Sequence, residues 1–316
     1  MTPFTSLRSQ SVLAQGEQRL IADIRRWLGN ASPQSPFGIG DDCAVIPATK
    51  YHQLVTTDPV IFGRHFDATV PPRAVGAKLL KRNLSDIAAM GGKPVAAVVA
   101  LALAPETSVA WLSGFYLGLA DCARLYGVKI VGGDITQGPA GFVGAFLTLH
   151  GESTGRRVVT RTGAKVNDRI FVSGRLGGSR TGHHFKFTPR LKEGVWLARQ
   201  PGVVAMMDVS DGIAKDVQAL TTKGLVASVR PSLIPVSAAA QAASRKSGQP
   251  AWVQALTEGE DYELLFVLRA KVDPVDFTRR WARRFATPLS LIGNFARSLG
   301  PGDVNWKKLH GYEHLR

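Results

Sequence analysis

Carboxylates are concentrated in six short motifs, in which glycine, serine or threonine stands beside apolar residues. The motifs are Gly38-Ile39-Gly40-Asp41-Asp42, Thr56-Thr57-Asp58, Asn83-Leu84-Ser85-Asp86, Gly132-Gly133-Asp134, Asp208-Val209-Ser210-Asp211-Gly212 and Glu258-Gly259-Glu260-Asp261. A carboxylate among apolar residues is costly to bury unless a cation neutralises it, and no Lys or Arg lies inside these motifs. Mg²⁺ prefers oxygen ligands and usually also binds substrate phosphates. The motifs therefore predict an enzyme that binds a metal ion together with a polyphosphate.

Each motif taken alone also has an ordinary structural explanation. Ser210 or Asp211 could accept amide hydrogens from the first turn of a helix. Asp41-Asp42 could form an Asx-turn, and Gly132-Gly133-Asp134 could be an ordinary turn. The joint occurrence of the motifs is harder to explain by caps and turns. At Asp211 both interpretations stay open, because a helix N-terminus also favours phosphate.

The chain is strongly basic, with 39 Lys and Arg against 24 Asp and Glu and a formal net charge of +15. A solvated basic surface, attraction of anionic nucleotides and nucleic-acid binding would each explain this charge. The basic residues form no single tail and do not alternate with aromatic residues as on a base-stacking surface. The densest stretch, 279–285, predicts a helix with Trp281 and Phe285 facing the core and its arginines largely in solvent. Nucleic acid is therefore the less favoured partner.

Length and composition indicate two domains, 1–150 and 151–316, joined near a polar and basic stretch at 152–165. Residues 1–18 contain no apolar core typical of a secretory signal. The longest apolar run, 95–104, is far shorter than the roughly 20 residues of a membrane-spanning helix. The two cysteines, Cys43 and Cys122, form no CxxC motif. We expect a cytoplasmic protein with neither a membrane span, a disulfide framework nor a zinc site.

Apolar periodicity predicts the elements that must position the acidic motifs. Helices are predicted over 18–28, 72–90, 108–125 and 213–222, and strands over 44–46, 53–57, 95–103, 128–131, 141–150, 169–173, 203–207 and 264–268. The alternation of strands and helices up to residue 150 is typical of an α/β domain. Asp58 then ends one strand and Gly132-Gly133-Asp134 follows another, so every acidic motif falls at or near an element end. The glycine-rich stretch 174–182 fits no P-loop and could contact phosphate or be a plain turn into a helix.

The set and order of motifs resemble those of the thiamine-monophosphate kinases, within the aminoimidazole-ribonucleotide-synthetase superfamily. The matching stretches are 38–46, 56–58, 63–66, 83–91, 132–136, 160–164, 208–213, 259–264 and 311–314, which span nearly the whole chain. Gly259-Glu260-Asp261-Tyr262-Glu263-Leu264 and the C-terminal Gly311-Tyr312 are what point to this kinase family rather than to its relatives. Glu258 stands where a glycine is commoner, and 179–199, with its histidine pair His183-His184, is shorter and more basic than usual.

The resemblance implies an α/β (α+β) fold of two domains and a homodimer. An N-terminal sheet domain would bind metal and ATP and pair with its copy through the sheets. A C-terminal α/β domain would contact nucleotide and substrate, with ATP in a cleft between the domains. Several Mg²⁺ ions around the ATP phosphates would be held by Asp42, Thr56, Thr57, Asp58, Asp86, Asp134, Asp208 and Asp211. The nucleotide would contact Gly133, Asp134, Arg161 and Ser210, and thiamine monophosphate would contact His65, Glu260 and Tyr312.

The reaction so implied is direct in-line transfer of a phosphoryl group from ATP to thiamine monophosphate, giving thiamine diphosphate. Such transfer depends on positioning and charge neutralisation, and the acceptor is already an anion, so we assign no general base. Two alternatives stay open: another ATP-dependent synthetase of this superfamily, and a basic nucleic-acid-binding protein that has retained a nucleotide fold. His65 could also be a structural histidine, and Tyr312 a packing residue.

Overall fold

The computed structural model describes residues 1–34, 37–39, 45–155 and 157–312. The chain divides into two compact units. The N-terminal unit consists of 1–87 and 93–153, and the C-terminal unit of 88–92 and the chain from 154 onward. No helix among the described residues is long and apolar enough to cross a membrane.

The N-terminal unit packs helices against a four-stranded sheet. Its elements are α1 (Val12–Gln15), α2 (Glu17–Leu28), β1 (Gln53–Ile61), α3 (Pro72–Ala89), β2 (Gly92–Leu103), α4 (Val109–Tyr126), β3 (Lys129–Gln137) and β4 (Val143–Ser153). The strand order is β1-β4-β2-β3, so that β1 and β3 are the edges. β1 and β4 pair antiparallel, from Gln53 opposite Glu152 to Ile61 opposite Gly144. β2 and β3 pair in parallel.

Glycines let α3 and α4 cross in close contact. A Cβ atom at Gly76 would lie 1.9 Å from the carbonyl oxygen of Phe115, and one at Gly118 would lie 1.9 Å from that of Arg73. α4 is capped by Ser108, whose hydroxyl accepts the amide hydrogen of Trp111. The two helices together cover the sheet face on which Leu101 and Leu147 are buried.

Two acidic motifs lie inside strands, contrary to our prediction. Asp58 is not the end of β1, which continues for three more residues, and Asp134 lies in the middle of β3. Both strands are edge strands, where a polar side chain reaches solvent without leaving the sheet. The predicted strand over 44–46 is also wrong where it can be judged, since Val45 and Ile46 belong to no strand.

The C-terminal unit packs helices on both faces of a five-stranded sheet. Its elements are β5 (Arg169–Ser173), α5 (His183–Lys186), α6 (Leu191–Ala198), β6 (Val203–Asp208), α7 (Ile213–Ala219), β7 (Val226–Val229), α8 (Ala238–Ser247), α9 (Ala251–Thr257), β8 (Leu264–Leu268), α10 (Pro274–Ala282) and β9 (Leu289–Ala296). The strand order is β6-β8-β5-β9-β7, and the assigned pairs are antiparallel.

Each face of this second sheet has its own core. On one face Ile170, Met207 and Ile292 pack with α7 and α9. On the other, Phe171, Met206 and Phe266 pack with α6 and α10. Trp281 is buried and its ring lies 4.8 Å from that of Phe285, as the spacing predicts. With helices packed on a sheet in each unit, the predicted α/β (α+β) fold class is confirmed.

Candidate active site

Three predicted metal ligands of the N-terminal unit lie together where β1 faces α3. Thr56 and Asp58 are two apart on β1, so their side chains share one face. The Thr56 hydroxyl donates a hydrogen bond to the Asp86 carboxylate. Nη2 of Arg82 lies 3.1 Å from Oδ1 of Asp58, and its Nη1 donates to the carbonyl oxygen of Pro59.

Arg82 was missed by the sequence reasoning. It directly precedes the motif Asn83-Leu84-Ser85-Asp86 and supplies a positive charge, which none of the six acidic motifs contains. Its side chain is only 8% exposed, so its charge and that of Asp58 stabilise each other in a poorly solvated place. Asp58 is therefore partly neutralised by the protein, which a search inside the motifs cannot reveal.

Thr57 points away from this group. Its hydroxyl donates to the carbonyl oxygen of Leu147 at 3.1 Å and accepts from the Thr148 hydroxyl at 3.2 Å. Because neighbours on a strand face opposite sides of the sheet, Thr56 and Thr57 do not share a site within this unit. Asp42 lies outside the described residues.

Gly133 and Asp134 line a cavity of about 270 Å³ in the N-terminal unit. Its other walls are largely apolar and include Ile24 of α2, Tyr116 of α4 and Ile130 of β3. A Cβ atom at Gly133 would lie 2.1 Å from the carbonyl oxygen of Val99, so glycine is needed for β3 to pair with β2. The cavity offers an apolar slot with a carboxylate at its edge.

Tyr116 is a second residue that sequence reasoning missed, because its helical spacing is that of a core residue. Its side chain is buried, and burial raises the pKa of the Tyr116 phenol. The ring therefore presents a neutral aromatic wall to the cavity, which suits a flat heterocycle.

His65 has a structural contact and a defined ring orientation. Its Nδ1 accepts the amide hydrogen of Ile61 at 3.1 Å, and its carbonyl oxygen accepts from Nζ of Lys78 at 2.8 Å. In the neutral ring the proton then lies on Nε2. These bonds give His65 a structural role, and a substrate contact through Nε2 stays a prediction.

In the C-terminal unit, Asp208 ends β6 and is buried. α7 is capped by Gly212, with no side-chain hydrogen bond at the cap. Gly212, rather than Ser210 or Asp211, therefore occupies the N-cap position of α7. Asp211 instead pairs with Nζ of Lys215 at 2.6 Å, and its own amide donates to the carboxylate of Asp216.

The segment 259–262 carries Glu260 in a strained backbone. Gly259, Glu260 and Tyr262 have φ angles of 71°, 54° and 52°, a region uncommon for residues other than glycine. The amides of Glu260 and Tyr262 donate to the carbonyl oxygens of Ser210 and Val209, each at 2.8 Å. Such strain persists only where the surroundings fix it, and it clusters at functional sites. The structure thus places Glu260 beside Ser210.

Two side chains orient the Glu260 carboxylate, which is 32% exposed. The Tyr262 hydroxyl lies 3.3 Å from its Oε1, and Nδ1 of His184 lies 3.8 Å from its Oε2. Tyr262 is in turn held by the ring of Phe187, stacked at 4.0 Å. The unusual histidine segment therefore contacts the predicted substrate residue directly.

The C-terminal segment reaches the same place. The amide of Tyr312 donates to the carbonyl oxygen of Asp211 at 2.9 Å, and its carbonyl oxygen accepts from Nζ of Lys215 at 3.1 Å. The side chain of Tyr312 remains 39% exposed, which suits a ligand contact better than packing. Ser210, Asp211, Glu260 and Tyr312 are thus brought together. Arg161 is exposed, and it follows Thr160, whose carbonyl oxygen accepts the amide hydrogen of Met206 in β6.

The glycine-rich loop at 174–182 is held by carboxylates. The amide of Gly177 donates to Oδ1 of Asp261 at 2.6 Å, and that of Gly178 to Oε2 of Glu258 at 2.7 Å. These amides already have anionic acceptors, so the plain-turn interpretation of the loop is favoured over phosphate contact. The unusual Glu258 therefore acts as an anchor for this loop.

The donor groups suit Mg²⁺ by their chemistry. Among the described residues, no three His, Cys, Asp or Glu side chains are placed to hold a metal ion together. Burial, reinforced by Asp208 and Asp211, raises the pKa of Asp216 to about 8. Oδ2 of buried Asp261 has no hydrogen-bond partner among the described residues. This crowding of oxygen donors and negative charge is what a divalent cation relieves.

Comparisons with known proteins show the family to which the chain belongs. The family described as "AIR synthase related protein, N-terminal domain" matches residues 40–152. The thiamine-monophosphate kinase of Rhodopirellula baltica is 32% identical over 289 residues, which is 88% of this chain and 87% of that protein. The chain belongs to the thiamine-monophosphate kinase family. The resemblance found in the sequence is confirmed, and with it the prediction of a kinase.

Solved structures of the thiamine-monophosphate kinase family extend the match to the fold. The enzyme from Stenotrophomonas maltophilia K279a has a TM-score of 0.75 and 29% identity, covering 90% of this chain and 96% of its own. AaThiL complexed with AMPPCP and TMP has a TM-score of 0.73 and 28% identity, covering 96% of this chain and 98% of its own.

Proposed function

We propose that this protein transfers the γ-phosphoryl group of ATP to thiamine monophosphate and releases thiamine diphosphate and ADP. The observation that carries the proposal is that AaThiL, complexed with both AMPPCP and TMP, matches 96% of this chain. The reaction is a direct in-line displacement that needs no general base, because the acceptor phosphate is already ionised.

In the N-terminal unit, the cavity beside Gly133 and Asp134 is proposed to receive the nucleobase. Its apolar walls and the Tyr116 ring would hold a flat base, and the carboxylate at its edge would face the phosphate end. Thr56, Asp58, Asp86 and Asp134 are proposed as metal ligands in this unit. Arg82 would keep Asp58 ionised and oriented.

In the C-terminal unit, Asp208 and Asp211 are proposed as further metal ligands, with Ser210 and Arg161 as nucleotide contacts. When bound, Mg²⁺ would neutralise the phosphate oxygens and reduce repulsion between the acceptor and the triphosphate. Lys215 would compete for Asp211 until the substrates arrive. We keep Asp42 and Thr57 in the proposed ligand set from the family resemblance.

Thiamine monophosphate is proposed to lie beside Glu260 and Tyr312, with His65 as a further contact. The exposed Tyr312 ring would pack on the thiamine rings. The carboxylate of Glu260, fixed by Tyr262 and His184, would face the positively charged thiazolium or the aminopyrimidine. Because these contacts are made before transfer, they position the acceptor rather than take part in bond making.

A homodimer is proposed from the N-terminal sheet. Its face away from α3 exposes Val55, Val98 and Phe146, which are 68%, 39% and 39% exposed. Large apolar side chains exposed on one sheet face are typical of an interaction surface. The division of roles between 1–150 and 151–316 and a cytoplasmic location also stay proposals.

The test is turnover by the purified full-length chain. With ATP, Mg²⁺ and thiamine monophosphate we expect thiamine diphosphate and ADP in equal amounts. Asp211→Asn should lower kcat strongly, whereas Asp276→Asn, an exposed carboxylate on α10, should not. Wild-type turnover by Asp211→Asn would refute the metal assignment. ATP binding without thiamine diphosphate would refute the proposed acceptor.

A further inference from the structure

A hollow of about 400 Å³ lies on the C-terminal sheet, away from the residues of the candidate active site. It is formed by β5, β9 and β7, on the face that bears Phe171 and Phe266. Over β6, β8 and β5 this face is covered by α6 and α10. Toward β9 and β7 the residues turn polar, although a central strand usually presents apolar side chains to a covering layer.

Two arginines line the hollow. Nη1 of Arg169 donates to the carbonyl oxygens of Ala270 and Val272, at 2.7 and 2.9 Å, which fixes this guanidinium. Arg230 is exposed where β7 ends. Among the described residues neither arginine forms an ion pair with a carboxylate. The hollow is therefore lined by two positive charges that form no ion pair with a described carboxylate.

Polar groups and an apolar wall complete the lining. Asn167, Asn294 and Ser228 contribute hydrogen-bonding groups. The Ser228 hydroxyl donates to Asp303 at 2.6 Å, and that carboxylate also accepts from the amide of Gly300. With Asp303 counted, a net positive charge remains.

The apolar wall consists of Leu233 and Leu291, which are 44% and 37% exposed. Between them and the arginines lies Gly293, where a Cβ atom would meet the carbonyl oxygen of Ser228 at 2.0 Å. Glycine at this position is needed for the strands to pair.

We propose that this hollow is a second ligand site, for an organic phosphate. The planar guanidinium groups of Arg169 and Arg230 match phosphate oxygens with paired hydrogen bonds. Leu233 and Leu291 provide a surface for the ring or base attached to the phosphate. The volume lies in the range of small-molecule sites. Nothing in this argument depends on the proposed kinase reaction.

The experiment is hydrogen–deuterium exchange of the full-length protein, followed on peptides that cover 226–233 and 289–296. The probes are ATP, thiamine diphosphate and inorganic phosphate, each up to about 1 mM. We expect an organic phosphate to slow exchange in both peptides. Arg230→Gln should raise the concentration needed for half of this effect about tenfold, the loss expected for a charge-assisted hydrogen bond.

The matched control is Arg245→Gln, which removes one exposed positive charge from the last turn of α8. It should behave as the wild type. Arg169→Gln is a second variant, checked by circular dichroism because Arg169 also holds the 270–272 backbone. Protection that Arg230→Gln leaves unchanged would place the ligand elsewhere and overturn the proposal. Three other results would also overturn the proposal. These are equal effects of Arg230→Gln and Arg245→Gln, no protection by any probe, and protection by inorganic phosphate as strong as that by the organic probes.

Discussion

Glu263 is the carboxylate whose loss should destabilise the C-terminal unit most clearly. It is 3% exposed at its side chain and accepts from Nε of Arg190 at 2.7 Å, from Nη2 of Arg190 at 2.5 Å and from the Ser173 hydroxyl at 2.6 Å. Arg190 is 20% exposed. The pair joins the loop before α6 to the segment that carries Glu260.

Glu263→Gln keeps the shape of the side chain and removes its charge. Breaking a buried ion pair by changing one partner costs about 3–5 kcal/mol, because the other charge is left uncompensated. Arg190 retains some contact with water, and its Nη1 lies 4.0 Å from Oε1 of Glu193, so we expect the lower end of this range, about 3 kcal/mol. A typical domain has a total stability of roughly 5–15 kcal/mol. Replacing both partners, as Arg190→Met with Glu263→Leu, should recover most of the loss.

Urea unfolding followed by circular dichroism measures these changes. The control is Asp276→Asn, which breaks the exposed pair with Arg280 and should cost less than about 1 kcal/mol because those side chains are 50% and 44% exposed. A Glu263→Gln variant within about 1 kcal/mol of wild type would refute the reasoning. A double variant less stable than Glu263→Gln would refute it equally.

Three further predictions concern a histidine beside Glu260, a buried cysteine and a glycine of β3. His184→Asn should raise KM for thiamine monophosphate about two- to fivefold and leave KM for ATP unchanged. In a Glu260→Gln background the same change should have no effect. Equal effects in both backgrounds would show that His184 does not act through Glu260. Burial raises the pKa of Cys122 to about 12, so iodoacetamide at pH 8 should leave Cys122 unmodified in the native protein. Peptide mass spectrometry measures the modification, and rapid labelling of Cys122 would contradict the prediction. Gly133→Ala should lower the free energy of unfolding, measured by urea unfolding, by about 1–3 kcal/mol. Gly132→Ala should lower it less, because a Cβ atom there would lie 3.4 Å from the nearest atom. The reverse order would be inconsistent with close pairing of β2 and β3.

The elements were largely predictable because their signals are local. Apolar spacing places α2 within one residue of its observed start and at its observed end, Leu28. The strand β5 was predicted with its observed bounds. Local patterns failed at Asp58 and Asp134, where a polar residue in an edge strand looks the same as the end of a strand.

The candidate site was only partly predictable. Only the family resemblance assigned Ser210, Asp211, Glu260 and Tyr312 to one site. The hydrogen bonds that join these residues connect segments that are distant in the sequence. The partners of Asp58 and Glu258, which are Arg82 and the amide of Gly178, are set by tertiary packing. Spacing along the chain carries no information about such contacts.

The anchoring of the glycine-rich loop by distant carboxylates has a consequence for the order of folding. The bonds from Gly177 and Gly178 reach 84 and 80 residues ahead, to Asp261 and Glu258. During synthesis the loop is therefore complete long before its acceptors exist. At about 5–20 residues per second the ribosome needs roughly 4–16 s to make the intervening chain. Through that interval these two amides lack their carboxylate acceptors, so we expect the loop to become ordered only after the segment 258–263 has been made.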